Sequence, residues 1–313
     1  MKKTLFLFIA ALMGVSVMAQ NSTNLKLNLL KNKIYRLKST SEQTISQTVN
    51  GIQQTTNVNS NSVFSIKMMD AKTDFFVAEI RFDTIVNQTN AMGKISNISS
   101  ALEGNIKSTE MADVMTCIMN RMSKNALFVK MDYTGKVIEI VNLKMFADIV
   151  TNDTSTITGQ AAEIIKAQIK NTVSDKALKT MIEGNTANLP GKEVSKGDKW
   201  EILMNMSAGG MSLDVNTVYQ LDALKGNAAD ITAESNIKAS DNAAPMEYGA
   251  AKITYGDIKG LSKSNMVIDT QSGMLINNSS KTHISGTLNV NAPGMSMQIP
   301  LEIDSEATVI ALP

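Results

Sequence analysis

Apolar and polar residues alternate along most of this chain, and period-two alternation predicts strands. Tyr35, Leu37, Ile45 and Val49 alternate with Arg36, Lys38, Glu42 and Thr44 up to Asn50-Gly51. That dipeptide is a strong hairpin signal, because both residues tolerate the positive φ of a type I′ turn. The chain then runs back from Ile52 to Met69. Phe76, Ala78, Ile80 and Phe82 predict a third strand after a turn at Asp70–Asp74. Leu127, Val129 and Met131 pair through Tyr133-Thr134-Gly135 with Val137 to Val141. In the second half, Lys196-Gly197-Asp198 leads into Trp200, Ile202, Met204 and Met206, and Gly209-Gly210 reverses the chain into Leu213, Val215, Thr217, Tyr219 and Leu221. Ile231, Ala233, Ile237 and Ala239 follow on one face. Met266 and Ile268 pass through Asp269–Gly273 into a strand over 274–291, and Pro293-Gly294 turns that strand into 295–312. Tight connections of this kind make the sheet antiparallel.

The last two segments hold their phase over lengths of about 50 Å at 3.3 Å per residue, far beyond ordinary strands. Such a sheet coils rather than staying flat, and Gly286 and Pro300 are expected to mark bends or bulges within it. Helical spacing appears only in midchain. Met111, Met115, Ile118, Met119 and Met122 form one stripe with Ser108 or Thr109 as a cap, predicting a helix at about 108–124. Ala161, Ile165, Ile169 and Val173 predict another. Its phase breaks at Ser174-Asp175, which caps a third helix ending at Gly184, so helix is expected over about 159–184. Residues 88–107 and 241–252 are small and polar and read as loops or lids. The expected fold is mainly β (α+β): a long, curled, half-barrel-like antiparallel sheet wrapped around the midchain helices, with strands over 25–87 and 194–312.

The first residues change the picture of where this protein works. Lys2 and Lys3 precede an apolar run from Leu5 to Met13, and Val17-Met18-Ala19 leads to Gln20. That is the pattern of a secretory signal, too short to span a bilayer. Cleavage is expected after Ala19, leaving residues 20–313 as one β-rich domain that is periplasmic or secreted. Gln20 stands where a lipoprotein signal would have cysteine, so no lipid anchor is expected. No later stretch is apolar enough to form a transmembrane segment.

Composition narrows the chemistry further. Residues 1–19 carry two lysines and no acids, so the remainder has 28 basic against 29 acidic side chains. Without a basic excess or stripe, nucleic acid is not an expected partner. Cys117 is the single cysteine and His283 the single histidine, too few for a zinc tetrahedron, and neither an intrachain disulfide nor any cofactor is expected. His283 shares the polar face of its strand with Lys281 and Ser285, which places it in solvent rather than beside a nucleophile. Acidic residues mostly alternate outward or sit in turns, and Trp200 lies on the apolar face of its strand, so no glycosidase signature stands out. The chain is read as not an enzyme.

Methionine is the unusual abundance, at 21 residues against 4% aromatics. Flexible, polarizable methionine fills irregular cores, and it also lines surfaces that accept varied apolar shapes. Core packing and a ligand cavity are therefore both open readings of Met111, Met115, Met119 and Met122, with Met204, Met206, Met295 and Met297 facing the same space. A Cu(I) site is a poorer reading, because Cys117 projects away from the stripe.

The segments "LKLNLLKNKIY" (25–35), "KEVSKGDKWEI" (192–202) and "IDTQSGML" (268–275) resemble an uncharacterised family of exported Gram-negative bacterial proteins. The organisation also looks like the half-barrel carriers of lipoproteins or lipids in the periplasm, and this likeness implies a hydrophobic cavity between sheet and helices. The expected role is non-enzymatic: binding or carrying a lipid, an acyl chain or another apolar small molecule in the cell envelope. A structural or interaction module with a filled core, whose partner is another envelope protein, is the second reading, and a hydrolase the third.

Overall fold

The protein was analysed as a computed structural model, which describes residues 22–159, 161–208, 211–241, 243, 245–248 and 251–313. The signal segment and its cleavage site after Ala19, and the Gly209-Gly210 turn, lie outside the described residues. Fifteen strands and four helices follow in the order β1 (Ser22–Asn24), β2 (Ile34–Val49), β3 (Ile52–Ala71), β4 (Phe76–Ala91), β5 (Lys94–Ser99), α1 (Met111–Lys124), β6 (Leu127–Met131), β7 (Val137–Ile140), α2 (Leu143–Val150), α3 (Ala162–Thr172), α4 (Asp175–Thr186), β8 (Glu193–Ser195), β9 (Lys199–Ala208), β10 (Met211–Lys225), β11 (Ala228–Ala239), β12 (Met246–Tyr248), β13 (Ala251–Asp269), β14 (Leu275–Ala292) and β15 (Met295–Leu312).

Thirteen strands form one antiparallel sheet in the spatial order β7-β6-β4-β3-β2-β15-β14-β13-β11-β10-β9, with β5 beside β4 and β12 beside β13. The sheet is mainly built of hairpins, and β15 pairs with β2, so that the first and last strands of this sheet in chain order meet at its centre. The order begins at β7 and ends at β9, so the sheet is open. As expected from the alternation, β14 and β15 are 18 residues each and their ladder runs without a shift from Asn277↔Ile310 to Ala292↔Met295. Asn50 and Gly51 both take positive φ in the β2–β3 turn.

Several elements differ from the expectation. The polar stretch 88–107 is not all loop: β4 continues to Ala91, Met92-Gly93 adopt positive φ, and β5 returns along β4. Residues 241–252 likewise hold β12 and the start of β13. The first strand does not begin at Leu25. Residues between β1 and β2 hydrogen-bond in turn to Lys192 O, Tyr133 O and Ser272 O, three separate segments, while Leu25, Leu27 and Leu29 are buried. Alternation there reports a buried thread without a ladder. The bulge is not at Gly286 or Pro300, through which the β14–β15 ladder is continuous. It lies opposite, on β13, where the register shifts between Gly256 and Lys259. Gly286 accommodates it, since a Cβ there would come within 2.5 Å of Ile258 Cδ1.

One face of the sheet carries the core, and its rows explain the curl. At one end Ile66, Phe76, Ala78, Ile80, Leu127, Val129 and Met131 pack with the helices in a large apolar cluster. At the other end Leu213, Ile258, Ile284, Leu301 and Ile303 form a second, smaller cluster. The helices pack on β4, β5, β7 and β9, so this second cluster is covered by the curled sheet itself. Between the clusters runs a hydroxyl-rich row, Thr217↔Ser235↔Ser262↔Thr282↔Ser305↔Gln43. Its hydroxyls satisfy one another: Thr217 and Ser235 are 2.8 Å apart, Ser262 and Thr282 2.7 Å.

Candidate functional site

The eight methionines singled out in the sequence fall in three places. Met115, Met119 and Met122 are buried in the larger cluster, with Met111 partly buried against it. Met204 and Met206 are half-buried on β9, and Met297 is half-buried near the β14–β15 turn, where Met295 is 50% exposed. The fold does not bring them around one space. α1 is buried on its other side as well: the segment after β5 lies across it, with Asn120 Nδ2 donating to Ser100 O at 2.8 Å and Cys117 buried beneath. Gly104 permits that crossing, since a Cβ there would come within 2.4 Å of Cys117 N. His283 is surface-exposed, its Nδ1 2.8 Å from Asp304 Oδ1 on the neighbouring strand. Among the described residues, no group of His, Cys, Asp and Glu is placed to hold a metal ion.

A separate candidate lies at the open seam of the sheet. Because the sheet is open and curled, its edge strands β7 and β9 both reach α4. α4 is capped by Ser174, whose side chain accepts from Ala177 N, and its end is tied to the β6–β7 turn: Thr186 Oγ1 donates to Gly135 O at 2.7 Å. Gly135 has φ +90 and a Cβ there would meet Thr186 O at 2.0 Å, so only glycine allows this approach. At the β7 edge, Val137 N donates to Glu183 Oε1 at 2.8 Å. β9 is held to the segment after α4 by Trp200, whose indole N–H donates to Asn188 O at 3.1 Å.

Between α4 and β9 a cleft of about 1070 Å³ remains. Consecutive residues from Trp200 to Asn205 line it, along with Val137, Ala187 and Leu189. Side chains from both faces of one strand meet a single cleft where the cleft follows the strand's edge, and β9 is the last strand in the sheet order. The floor is apolar: Val137, Leu189 and Trp200 are buried, and Trp200 stacks on Tyr219 with ring centroids 5.4 Å apart. Burial pushes the Tyr219 phenol up to about 12, keeping it neutral. The rim is charged, with Lys136, Lys176, Lys179, Lys192, Asp175, Glu183, Glu201 and Asp214. Sequence reasoning read Trp200, Ile202 and Met204 as one inward face but missed the cleft, which depends on which strand is left at the edge. Of the eight methionines, Met204 alone lines it.

A second surface feature is apolar and exposed. α2, which the alternation did not reveal, buries Phe146 and Val150 and exposes Met145 and Ile149, and Val141, just after β7, is exposed beside them. No helix among the described residues is long and apolar enough to cross a membrane.

No curated protein matches the sequence. Solved structures with a similar course of the chain include an outer membrane channel, COG4313, from Pseudomonas putida F1, at 7% identity over 91% of this chain and 97% of that one, with a TM-score of 0.27. The translocator domain of the autotransporter NalP from Neisseria meningitidis matches at 6% identity over 91% and 90%, TM-score 0.21, and a DUF1329 family protein from Desulfovibrio piger at 7% over 86% and 83%, TM-score 0.15. Superposition at these scores carries no functional argument. The sequence itself is more informative: residues 73–275, which include every residue lining the α4–β9 cleft, match the family of unknown function DUF6263, and the chain belongs to that family.

Proposed function

We propose that this is an exported, non-enzymatic protein of the cell envelope that binds an apolar small molecule, such as a lipid or acyl chain, in the cleft between α4 and β9. The observation that carries the proposal is the cleft's construction: about 1070 Å³ in size, floored by Val137, Leu189 and Trp200, which Tyr219 backs by stacking, and rimmed by polar groups. Small-molecule sites combine an apolar lining with polar groups that fix orientation; here Val137, Leu189, Trp200, Ile202, Leu203 and Met204 supply the apolar part, and the rest of the lining is mostly polar or charged. The Lys2-Lys3, Leu5–Met13 and Val17-Met18-Ala19 sequence supports export. Compared with the expectation from the methionine stripe, the ligand site moves from the helix core to the seam where the sheet stays open.

The test is binding of a neutral, environment-sensitive apolar dye, alongside native mass spectrometry of protein purified from its own envelope fraction. Ile202→Asn and Met204→Gln place polar groups on half-buried cleft positions. They should weaken dye binding by roughly tenfold each while leaving the thermal midpoint nearly unchanged. A wild-type protein that binds neither dye nor co-purifying lipid would overturn the proposal. The second reading, an interaction module, rests on the exposed patch of Val141, Met145 and Ile149, since exposed apolar patches mark partner surfaces. Protein that binds no dye and associates through that patch would favour it.

A further inference from the structure

The backbone of β9, as well as its side chains, faces the cleft. At the start of the β9–β10 ladder Leu221 N donates to Asp198 O at 3.0 Å, and on the far side of β10 Ser240 N donates to Ser212 O at 3.0 Å. Alternate residues of an antiparallel strand direct their backbone groups to opposite sides. With Trp200 paired to Tyr219, Ile202 to Thr217 and Met204 to Val215, these three residues of β9 bond to β10. Glu201, Leu203 and Asn205 direct their N–H and C=O groups the other way, to the open edge. All three line the cleft, and none of these six backbone groups has a hydrogen-bond partner among the described residues.

Sheet edges are normally blunted by short strands, proline, bulges or charge. The other edge follows that rule: β7 has only 4 residues, and Val137 N is taken by Glu183 Oε1 at 2.8 Å. β9 has 10 residues, no proline and an unshifted register against β10. Its only charges, Lys199 and Glu201, lie at one end, and Leu203, in the middle of the open row, is 72% exposed. α4 stands across the cleft, with Asp175, Lys179, Thr180 and Glu183 lining that side. The cleft follows β9 from Trp200 to Asn205, about 17 Å at 3.3 Å per residue, which is the reach of a short extended chain.

A plain hydrocarbon laid along this wall strips water from the six backbone groups and returns no hydrogen bond, which is costly. A ligand with a row of secondary amides replaces each lost bond. We infer that the cleft takes a short, extended, apolar peptide by strand addition to β9. Alternate amides of the peptide bond to Glu201, Leu203 and Asn205, and every second side chain lies beside Ile202 and Met204 on the Trp200 floor. Strand addition draws affinity from the main chain and selectivity from such alternate side chains. α4 beside the edge favours a free strand over a second copy of this chain, whose own β9 is flanked by the same helix. The inference rests on the reading that the cleft binds an apolar ligand, and it names the kind of chain that ligand has.

The test is calorimetric titration of the full-length mature protein with an acetylated, amidated heptapeptide of alternating threonine and valine, beside a neutral apolar dye and hexadecanol, each below its aggregation concentration. The peptide should bind, and saturating dye should block it. Two N-methylated versions decide the mode, one methylated on the threonine amides and the other on the valine amides. Only one set of amides faces β9, so one version should bind roughly tenfold more weakly while the other stays near the parent peptide. Loss in the threonine version marks an antiparallel peptide, loss in the valine version a parallel one. On the protein side, Leu203→Pro removes an edge N–H that carries no ladder bond, a position where a strand tolerates proline. Leu203→Ala loses the same side chain and keeps the N–H. The proline variant should therefore bind the peptide roughly tenfold more weakly than the alanine variant, at a similar thermal midpoint. Equal weakening by both N-methylated versions, or binding of dye and hexadecanol without peptide, overturns strand addition and leaves the apolar cleft standing. A wild-type dimer in sedimentation that Leu203→Pro dissociates would give the edge to a second copy and overturn the peptide as well. Failure of dye, hexadecanol and peptide alike overturns the cleft reading itself.

Discussion

Glu79 holds two cations on the outward face of β4: Lys67 Nζ is 2.5 Å and Arg81 Nε 2.6 Å from its carboxylate, and its side chain is 13% exposed. The Lys67 hydrogen bond, with Arg81 adding to it against the opposing effect of burial, holds the Glu79 carboxyl below its ordinary range. A carboxyl depressed in the folded state stabilises above its unfolded pKa, about 4.3, and that stabilisation is lost as pH falls through the folded value. Glu79→Gln, which mimics the protonated form, should therefore cost about 1–2 kcal/mol at pH 7. Urea titrations should show the gap between variant and wild type closing below about pH 4. A gap that stays constant down to pH 3 would mean that the ion pair contributes nothing through charge. His283 and Asp304 form a pair of the other kind. Both side chains are more than half exposed, and a pair so wetted is worth little.

Among the elements, α4 has the most to lose at one residue. Its N-terminus is capped by the Ser174 side chain, and its length spans the seam between β7 and β9. Ser174→Ala should cost about 1 kcal/mol, the usual worth of such a cap, read as a shift in the denaturant midpoint with the slope unchanged. A loss of less than about 0.3 kcal/mol would show that packing alone fixes the helix start. This helix boundary was legible in the sequence because Ser174-Asp175 interrupts the apolar phase at the position where a cap belongs. The β2–β3 hairpin was legible for a similar reason, since Asn50-Gly51 specifies its own turn. α2 was not legible. Its polar face is only the exposed Lys144–Asp148 pair, and Met145 and Ile149 are apolar on its solvent side as well, so eight residues leave little period to read. β5 escaped notice because its residues are Ser, Asn, Lys and Ile, and its strand is defined by the Met92-Gly93 turn and by pairing with β4. The methionine stripe of α1 was read correctly as one face. What covers the opposite face, the segment after β5 held by Asn120, is a tertiary contact that no periodicity encodes. For the same reason the cleft could not be found from β9 alone: Trp200 to Asn205 form an ordinary alternating strand until the topology leaves their edge unpaired.

At the scale of the whole molecule, one sheet passes through two apolar clusters separated by a row of hydroxyls, and this arrangement predicts unequal stability along the same strands. The larger cluster combines the sheet with the helices and contains the most deeply buried side chains, among them Phe76, Ile80, Leu127 and Met131. The smaller, around Ile284, Leu301 and Ile303, has only the curled sheet to cover it. Regions with fewer buried apolar contacts open at lower free energy than the global transition. Amide hydrogen exchange followed by mass spectrometry should therefore divide β3 within itself. Residues near Ile66, and β4 near Phe76 to Ile80, should exchange only through global unfolding. Residues 52–57 should exchange through a smaller opening, together with the ends of β14 and β15 around the Pro293-Gly294 turn. Ile303→Ala, a deletion in the smaller cluster, should cost about 2–4 kcal/mol, and its effect on exchange should be concentrated at that end. The hydroxyl row is the reason for expecting a boundary there: Thr217 with Ser235 and Ser262 with Thr282 satisfy each other in pairs and give apolar packing no continuous path between the clusters. Uniform protection along β3, or an Ile303→Ala effect spread equally over both ends, would mean that the long ladders alone make the sheet a single cooperative unit.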